Sequence, residues 1–251
     1  PLLPYADLIS GIIYSPYSVL DDCIRRVPAI NTSWYNYNMH MIRYENLPNI
    51  MRFQTTLSDT PAGIQWVRSV QSSDPGEAFF MFRHLGGHVE IGFTDPDVGN
   101  GTSSRSNAAY WWYVDSRKND NTTIRRGRVI NGAYTSDGAQ HPYYYKDLWI
   151  IWYHGTQVDF YRFEDRSDIM AGQSSWNYLP ILHLVDSVTT TAGRSFVIDS
   201  VFDTGSSNLG FYAQRQDTAN VDINYFSNRN CLSDYILYPS PTPPSPPSPP
   251  T

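Results

Sequence analysis

Short runs of β-branched and aromatic residues recur along the chain, separated by turn-forming sequences. In His88–Phe93 and Val221–Phe226 apolar and polar residues alternate, which is the period of a strand with one buried face. The predicted strands are 34–44, 51–57, 63–70, 78–82, 88–93, 110–114, 148–153, 158–163, 179–184, 196–201, 209–213, 221–226 and 235–238. Turns are predicted at Asp59-Thr-Pro-Ala-Gly, Asp95-Pro-Asp-Val-Gly, Ser136-Asp-Gly and Asp203-Thr-Gly.

Many strands and no convincing amphipathic helix predict an all-β fold. A chain of 251 residues with 41% apolar content can bury one core. We expect one antiparallel two-sheet jelly-roll sandwich over residues 1–237, followed by a separate tail over residues 238–251.

The tail repeats Ser-Pro-Pro. Proline fixes φ and has no amide donor, so this stretch predicts an extended polyproline II rod. Its composition resembles the hydroxyproline-rich stalks of plant and green-algal cell-wall glycoproteins. That resemblance implies hydroxylation and O-glycosylation, whereas an unmodified linker fits the residues equally well. The candidate modified prolines are Pro241, Pro243, Pro244, Pro246, Pro247, Pro249 and Pro250.

Charge is sparse and slightly acidic, with 17% charged residues and a formal net charge of -6. Binding to a phosphate backbone draws on clustered Lys and Arg, so a nucleic acid is not an expected partner. No apolar run reaches the roughly 20 residues needed to cross a bilayer, and we expect any signal peptide to have been removed.

The two cysteines, Cys23 and Cys231, stand near the ends of the predicted sandwich. A bond between them would close a loop of roughly 200 residues and contribute about 5 kcal/mol in the chain-entropy model. Two buried free thiols are the alternative.

Three Asn-X-Ser/Thr sequons begin at Asn31, Asn100 and Asn121, the last two in predicted loops. Together with the cysteine pair, the shortage of lysine and the tail, they indicate a secreted or cell-surface glycoprotein.

The chain carries two family resemblances, one in its central stretch and one later. Its strand His88-Val-Glu-Ile-Gly-Phe, the aromatic run Tyr110-Trp-Trp-Tyr-Val and the run Leu148-Trp-Ile-Ile-Trp-Tyr resemble the domain named after farnesoic acid O-methyltransferase. The later Gly205-Ser-Ser-Asn-Leu-Gly-Phe-Tyr-Ala-Gln and Val221-Asp-Ile-Asn-Tyr-Phe resemble the closing strands of concanavalin A-like jelly rolls. Both resemblances imply an antiparallel sandwich. Methyl transfer is not expected, because no Gly-rich turn joins a parallel strand to a helix.

Glycan binding is the leading hypothesis for the aromatic run. Side chains alternate along a strand, so a core position for Trp112 turns Trp111 and Tyr113 to the other face. If that face is uncovered, Trp111, Tyr113, Arg117 and Asn119 would stack against and hydrogen-bond a sugar. A second layer or another protomer over the same face is the alternative.

A secreted polysaccharide lyase is the competing hypothesis. Tyr143 or Tyr145, with His141, offers a base, and Arg126 a cation to neutralise a uronate carboxylate. These residues also fit an aromatic strand entry beside a solvated basic strand. For a glycosidase, Glu90, Asp95 and Asp97 lack the expected strand spacing of paired carboxylates.

Metal chemistry has little sequence support. Asp95, Asp97 and Asn100 offer oxygen ligands at short spacing for calcium, although such residues are common in turns. His40, His84, His154 and His183 have no metal-ligand spacing and are assigned to strands. No other cofactor is expected.

The sequence therefore predicts an extracellular structural or adhesive glycoprotein. Its expected partners are glycans or cell-wall polysaccharide, and identical protomers assembled through the sandwich and the Pro-rich stalk.

Overall fold

A computed structural model describes residues 27–37, 39–44, 47–55, 65–98, 104–115, 123–142, 147–164, 181–203 and 220–231. Over these ranges the chain forms fourteen strands and one short 3-10 turn, Arg105–Asn107. The strands are β1 (Trp34–Tyr37), β2 (Met39–Tyr44), β3 (Leu47–Thr55), β4 (Trp66–Ser69), β5 (Glu77–Gly86), β6 (His88–Thr94), β7 (Tyr110–Asp115), β8 (Thr123–Ile130), β9 (Ala133–Pro142), β10 (Leu148–His154), β11 (Gln157–Glu164), β12 (Ile181–Thr189), β13 (Val197–Asp203) and β14 (Asn220–Ser227). Among the described residues, no helix is long and apolar enough to cross a membrane.

The strands form two antiparallel sheets of seven strands each. Sheet A has the order β1-β4-β13-β6-β7-β8-β9, and sheet B the order β12-β11-β10-β5-β14-β3-β2. Every strand pair is antiparallel. The predicted antiparallel two-sheet jelly-roll sandwich is confirmed.

The core between the sheets is aromatic, and Trp112 of β7 lies at its centre. Its ring packs edge-to-face against Trp149 at 5.0 Å and Phe160 at 5.2 Å, both on sheet B. Its indole N–H donates to the Ile150 carbonyl oxygen at 3.0 Å. One side chain thus joins the two sheets by ring packing and by a satisfied buried hydrogen bond.

The outer face of sheet B carries a second apolar cluster that chain segments cover. Val27 and Ala29, which precede β1, and Cys231, which follows β14, pack on this face. The Tyr225 hydroxyl donates to the Val27 carbonyl oxygen at 2.5 Å. Cys231 is disulfide-bonded, and Cys23, the one other cysteine of the chain, lies outside the described residues.

Three features of the strand prediction need correction. The run 34–44 is two strands in different sheets, β1 and β2. Strands β8 and β9 were absent from the prediction, and Ser136-Asp-Gly, expected as a turn, lies inside β9. The turn joining β8 and β9 is Asn131-Gly132, whose φ angles of 49° and 78° fit the two-residue turn that matches strand twist. The predicted strands 209–213 and 235–238 lie outside the described residues.

Truncation of Trp112 should show how much the core depends on it. We expect Trp112→Ala to lower the free energy of unfolding by about 3–5 kcal/mol, because it removes ring contacts to both sheets and leaves a cavity. Urea denaturation followed by circular dichroism measures the change. The matched control is Val70→Ala at an exposed position, expected within about 0.5 kcal/mol of wild type. Equal denaturation midpoints for the two variants would contradict the central role of Trp112.

Candidate functional site

The outer face of sheet A holds the candidate site. Register partners form one row across all seven strands, and opposed residues of antiparallel strands share a face. That row is Tyr35, Arg68, Asp199, Gly92, Trp111, Val129 and Tyr134. In the neighbouring row Tyr113 lies between Glu90 and Gly127.

An ion pair between β4 and β13 lies on this face, toward the β1 edge. Arg68 and Asp199 are both buried, and their side chains approach to 3.2 Å. Arg68 also donates to the carbonyl oxygen of Pro96 at 2.9 Å. The turn after β6 therefore supplies carbonyl acceptors to the buried guanidinium beside its ion-pair partner.

Glu90 is the second buried carboxylate of the face. Arg105 donates to it through two nitrogens, with Nε 2.7 Å from Oε2 and Nη2 bonded to Oε1. His88 Nε2 lies 3.0 Å from Oε1. Two hydrogen bonds of this kind fix the orientation of the guanidinium and pair its charge with that of Glu90.

Burial acts to raise the pKa of Glu90, but hydrogen bonds from Arg105 and His88 outweigh it and hold this pKa below its ordinary value. The hydrogen bond to Glu90 likewise raises the pKa of Arg105. Both groups are therefore charged at neutral pH, and the site contains a fixed carboxylate and a fixed guanidinium.

Tyr134 is the exposed aromatic residue of the site, with 40% of its surface open to solvent. Its ring centroid lies 4.6 Å from that of Tyr113 and 5.7 Å from the Arg105 guanidinium carbon. Gly127 makes this arrangement possible, because a Cβ there would lie 2.7 Å from the Tyr134 ring. The ring leans across the glycine toward Tyr113 and is held on a defined surface.

Polar groups surround that ring. The Tyr113 hydroxyl donates to the buried Asp115 carboxylate at 3.2 Å, and the Tyr113 ring lies 4.6 Å from His88. An exposed aromatic face beside a partly exposed guanidinium can receive the apolar face of a ring and hydrogen-bond its hydroxyls.

Trp111 requires a correction. Trp112 faces the core and Trp111 the outer face, as strand alternation predicts, but Trp111 is fully buried. Ala108, Val129 and Val201 pack around it, and its indole N–H donates to Thr94 at 3.0 Å. Trp111 therefore supports the outer face from below and offers no stacking surface.

The structure places Tyr113 in the site, partly buried. Arg117 and Asn119, predicted with it, lie outside the described residues.

The structure adds no support for the calcium hypothesis. Both carboxylate oxygens of Asp95 accept from Arg194, at 2.8 and 2.6 Å, so this carboxylate is committed to an ion pair. Asp97 is exposed in the predicted turn, and Asn100 lies outside the described residues.

The structure describes two of the four residues of the lyase hypothesis. Arg126 lies in β8 opposite Val114, and His141 in β9 opposite Ile124. Tyr143 and Tyr145 lie outside the described residues. Of the three sequons, Asn31 is described and exposed, whereas Asn100 and Asn121 are not described.

A separate polar cluster on sheet B does not form a nucleophilic site. Asp159 accepts from Ser187 at 2.6 Å, and His154 lies 2.9 Å from its other oxygen. In a nucleophilic triad the imidazole lies between serine and carboxylate. Here the serine bonds the carboxylate directly, so the imidazole does not activate it.

Comparison with known protein sequences found no match. No family model and no curated protein matches the sequence, so the resemblance to the farnesoic acid O-methyltransferase domain finds no support.

The chain is similar to many solved structures, of which three illustrate the range. The legume lectin-like domain from Entamoeba histolytica has 8% identity and a TM-score of 0.48, covering 87% of this chain and 95% of that chain. A Bacillus licheniformis β-glucanase has 15% identity and a TM-score of 0.43, covering 81% of this chain and 97% of that chain. The carbohydrate-binding module CBM66 from Bacillus subtilis has 13% identity and a TM-score of 0.35, covering 78% of this chain and 93% of that chain. All scores lie below 0.5, so neither a family nor a ligand follows from them.

Sequence reasoning missed Arg105 and Tyr134, and considered Glu90 only as a glycosidase carboxylate. The Asn131-Gly132 dipeptide was the available signal for Tyr134, because it predicts a hairpin that carries this residue back along β8. The contact between Arg105 and Glu90 had no comparable signal.

Neutralising Glu90 should change the acid stability of the protein. The pKa of Glu90 is depressed in the folded state. Its contribution to the free energy of unfolding is therefore complete above the unfolded-state pKa of 4.5, and it is lost as the pH falls through the folded-state pKa. We expect Glu90→Gln to be less stable than wild type at pH 7 by about 1–3 kcal/mol, because Arg105 loses its charged acceptor. The difference should shrink below pH 4.

Urea denaturation at pH 7, 5, 4 and 3 measures this difference. Asp97→Asn, at an exposed carboxylate, is the control and should follow wild type at each pH. A stability difference for Glu90→Gln that stays constant down to pH 3 would show that the ion pair is not its source.

Proposed function

We propose that the outer face of sheet A is a glycan-binding surface centred on Tyr134, Tyr113 and Arg105. The observation that carries the proposal is the exposed Tyr134 ring held beside the Arg105 guanidinium. Arg105 is in turn fixed by the buried Glu90. Preorganised aromatic and polar groups lower the ordering cost of binding, which matters for ligands as hydrated as sugars.

The charge state of Glu90 does not suit the general acid of a glycosidase. The general acid of a glycosidase must hold its proton near neutral pH, which requires a raised pKa. The pKa of Glu90 is lowered instead. A carboxylate that stays ionised and bonded to Arg105 positions a ligand-binding side chain.

We further propose an extracellular setting, as a structural or adhesive glycoprotein. Support comes from the exposed sequon residue Asn31 and from Cys231, which is disulfide-bonded. Disulfides persist in oxidising compartments, and sequon glycosylation occurs in secreted proteins. The Ser-Pro-Pro tail is the sequence feature that fits a stalk.

Substitution of Tyr134 tests the glycan surface. The full chain is screened against a glycan array, and the strongest ligand is titrated by calorimetry into each variant. Tyr134→Ala should weaken binding about tenfold or more, because truncation of a central aromatic contact typically costs over 1 kcal/mol. Tyr134→Phe should retain most of the affinity, because it keeps the ring.

The matched control is Leu184→Ala, at an exposed apolar position on β12 of the other sheet, which should bind as wild type. Equal affinity of Tyr134→Ala and wild type, or no array ligand at all, would refute this surface. A rise in ultraviolet absorbance on incubation with polyuronates would instead identify a lyase.

A further inference from the structure

A second aromatic group lies at the opposite edge of sheet A. It consists of Tyr35 and Tyr37 on β1 and Trp66 on β4, here called the aromatic shelf. Tyr35 and Tyr37 are 59% and 52% exposed, the first being the most exposed large apolar side chain among the described residues. Among the described strands β1 pairs with β4 alone, so the shelf lies at a sheet edge.

The rings of the shelf are ordered. Tyr37 and Trp66 are register partners, and their rings are stacked with centroids 6.3 Å apart and planes 12° from parallel. Tyr35 and Tyr37 lie two residues apart on the same strand face, which separates them by roughly 7 Å. The shelf is thus a short row of rings carrying phenol and indole donors.

The tail of the chain has matching chemistry. Polyproline II has three residues per turn and a rise of about 3.1 Å per residue. In such a rod the three-residue period of the tail would put Thr242, Ser245, Ser248 and Thr251 on one side and proline rings along most of the rest. Prolyl carbonyls accept hydrogen bonds and have no amide partner. Aromatic surfaces with donors are the recognised binding sites for such rods.

We propose that the aromatic shelf binds the Ser-Pro-Pro tail, residues 239–251, of a second copy of the chain. Proline rings pack between Tyr35, Tyr37 and Trp66, and the phenol and indole groups donate to prolyl carbonyls. This inference is independent of the proposed glycan surface, which lies at the β9 edge of the sheet.

The position of Cys231 favours a second copy. Cys231 packs on the outer face of sheet B, whereas the shelf is on the outer face of sheet A. Only residues 232–238 separate Cys231 from the Pro-rich segment, a span of at most about 25 Å that would have to pass around the sandwich edge. A polyproline rod is semi-rigid and extends away from its origin.

Shelf and tail are different surfaces, so their contact is head-to-tail and leaves one of each open at the ends. We expect the full chain to form a concentration-dependent series of oligomers in sedimentation velocity. Tyr35→Ala/Tyr37→Ala should weaken the association about tenfold or more, because truncated aromatic anchors dominate interfaces of this kind. Leu184→Ala should associate as wild type.

A synthetic peptide of residues 239–251 supplies the second measurement. It should dissociate the wild-type oligomers, and titration should show binding to wild type but at least about tenfold weaker binding to the Tyr35→Ala/Tyr37→Ala variant. Circular dichroism confirms that this variant folds.

Three results would overturn the proposal. They are a wild-type chain that stays monomeric at all concentrations, association unchanged in the double variant, and oligomers that the peptide does not dissociate. A fourth outcome would also overturn it: the chain stays monomeric, and the peptide binds only after the tail has been removed. That result would mean that the tail occupies the shelf of its own chain. Loss of glycan binding in Tyr134→Ala with association intact separates this proposal from the glycan surface.

Discussion

The packing of Trp112 against Trp149 and Phe160 fixes the relation of the two sheets, and the outer face of sheet A depends on it. Side chains alternate along a strand, so Trp112 in the core forces Trp111 and Tyr113 outward. The register of β6 then sets Glu90 beside Tyr113, and that of β8 sets Gly127 on its other side. A slip of one residue in β7 would turn Trp111, Trp112 and Tyr113 each to the opposite face.

Charge burial is the second constraint on this face. Arg68–Asp199 and Arg105–Glu90 both lie on a sheet surface that solvent would otherwise hydrate. The turn after β6 gives Arg68 a carbonyl partner from Pro96, and Arg105, whose own side chain is partly exposed, reaches Glu90 from the residues before β7. Loss of one partner of a buried charge is costly, because the other charge is left unpaired. The two hydrogen bonds to Glu90 therefore hold Arg105 beside Tyr134.

The sequence was sufficient for the all-β class and for most strands, because alternation is local and survives in runs such as His88–Phe93. It failed at β8, where arginines at 125, 126 and 128 interrupt the apolar pattern, and at β9, whose sequence after Tyr134 is almost entirely polar. One of them, Arg128, is paired with Asp186 of sheet B at 2.7 Å. The outward orientation of Trp111 was predictable, but its cover by Ala108, Val129 and Val201 was not. Cover depends on contacts between segments distant along the chain, and periodicity carries no information about them.

The two aromatic groups of sheet A lie at opposite edges of one face. Six strand spacings separate β1 from β9, or about 29 Å at the usual distance between strands. A tail bound at the shelf would therefore leave Tyr134 and Arg105 open. Head-to-tail association would then repeat the glycan surface along a chain of copies, and several weak sites on one assembly bind a polymeric glycan far more tightly than one site.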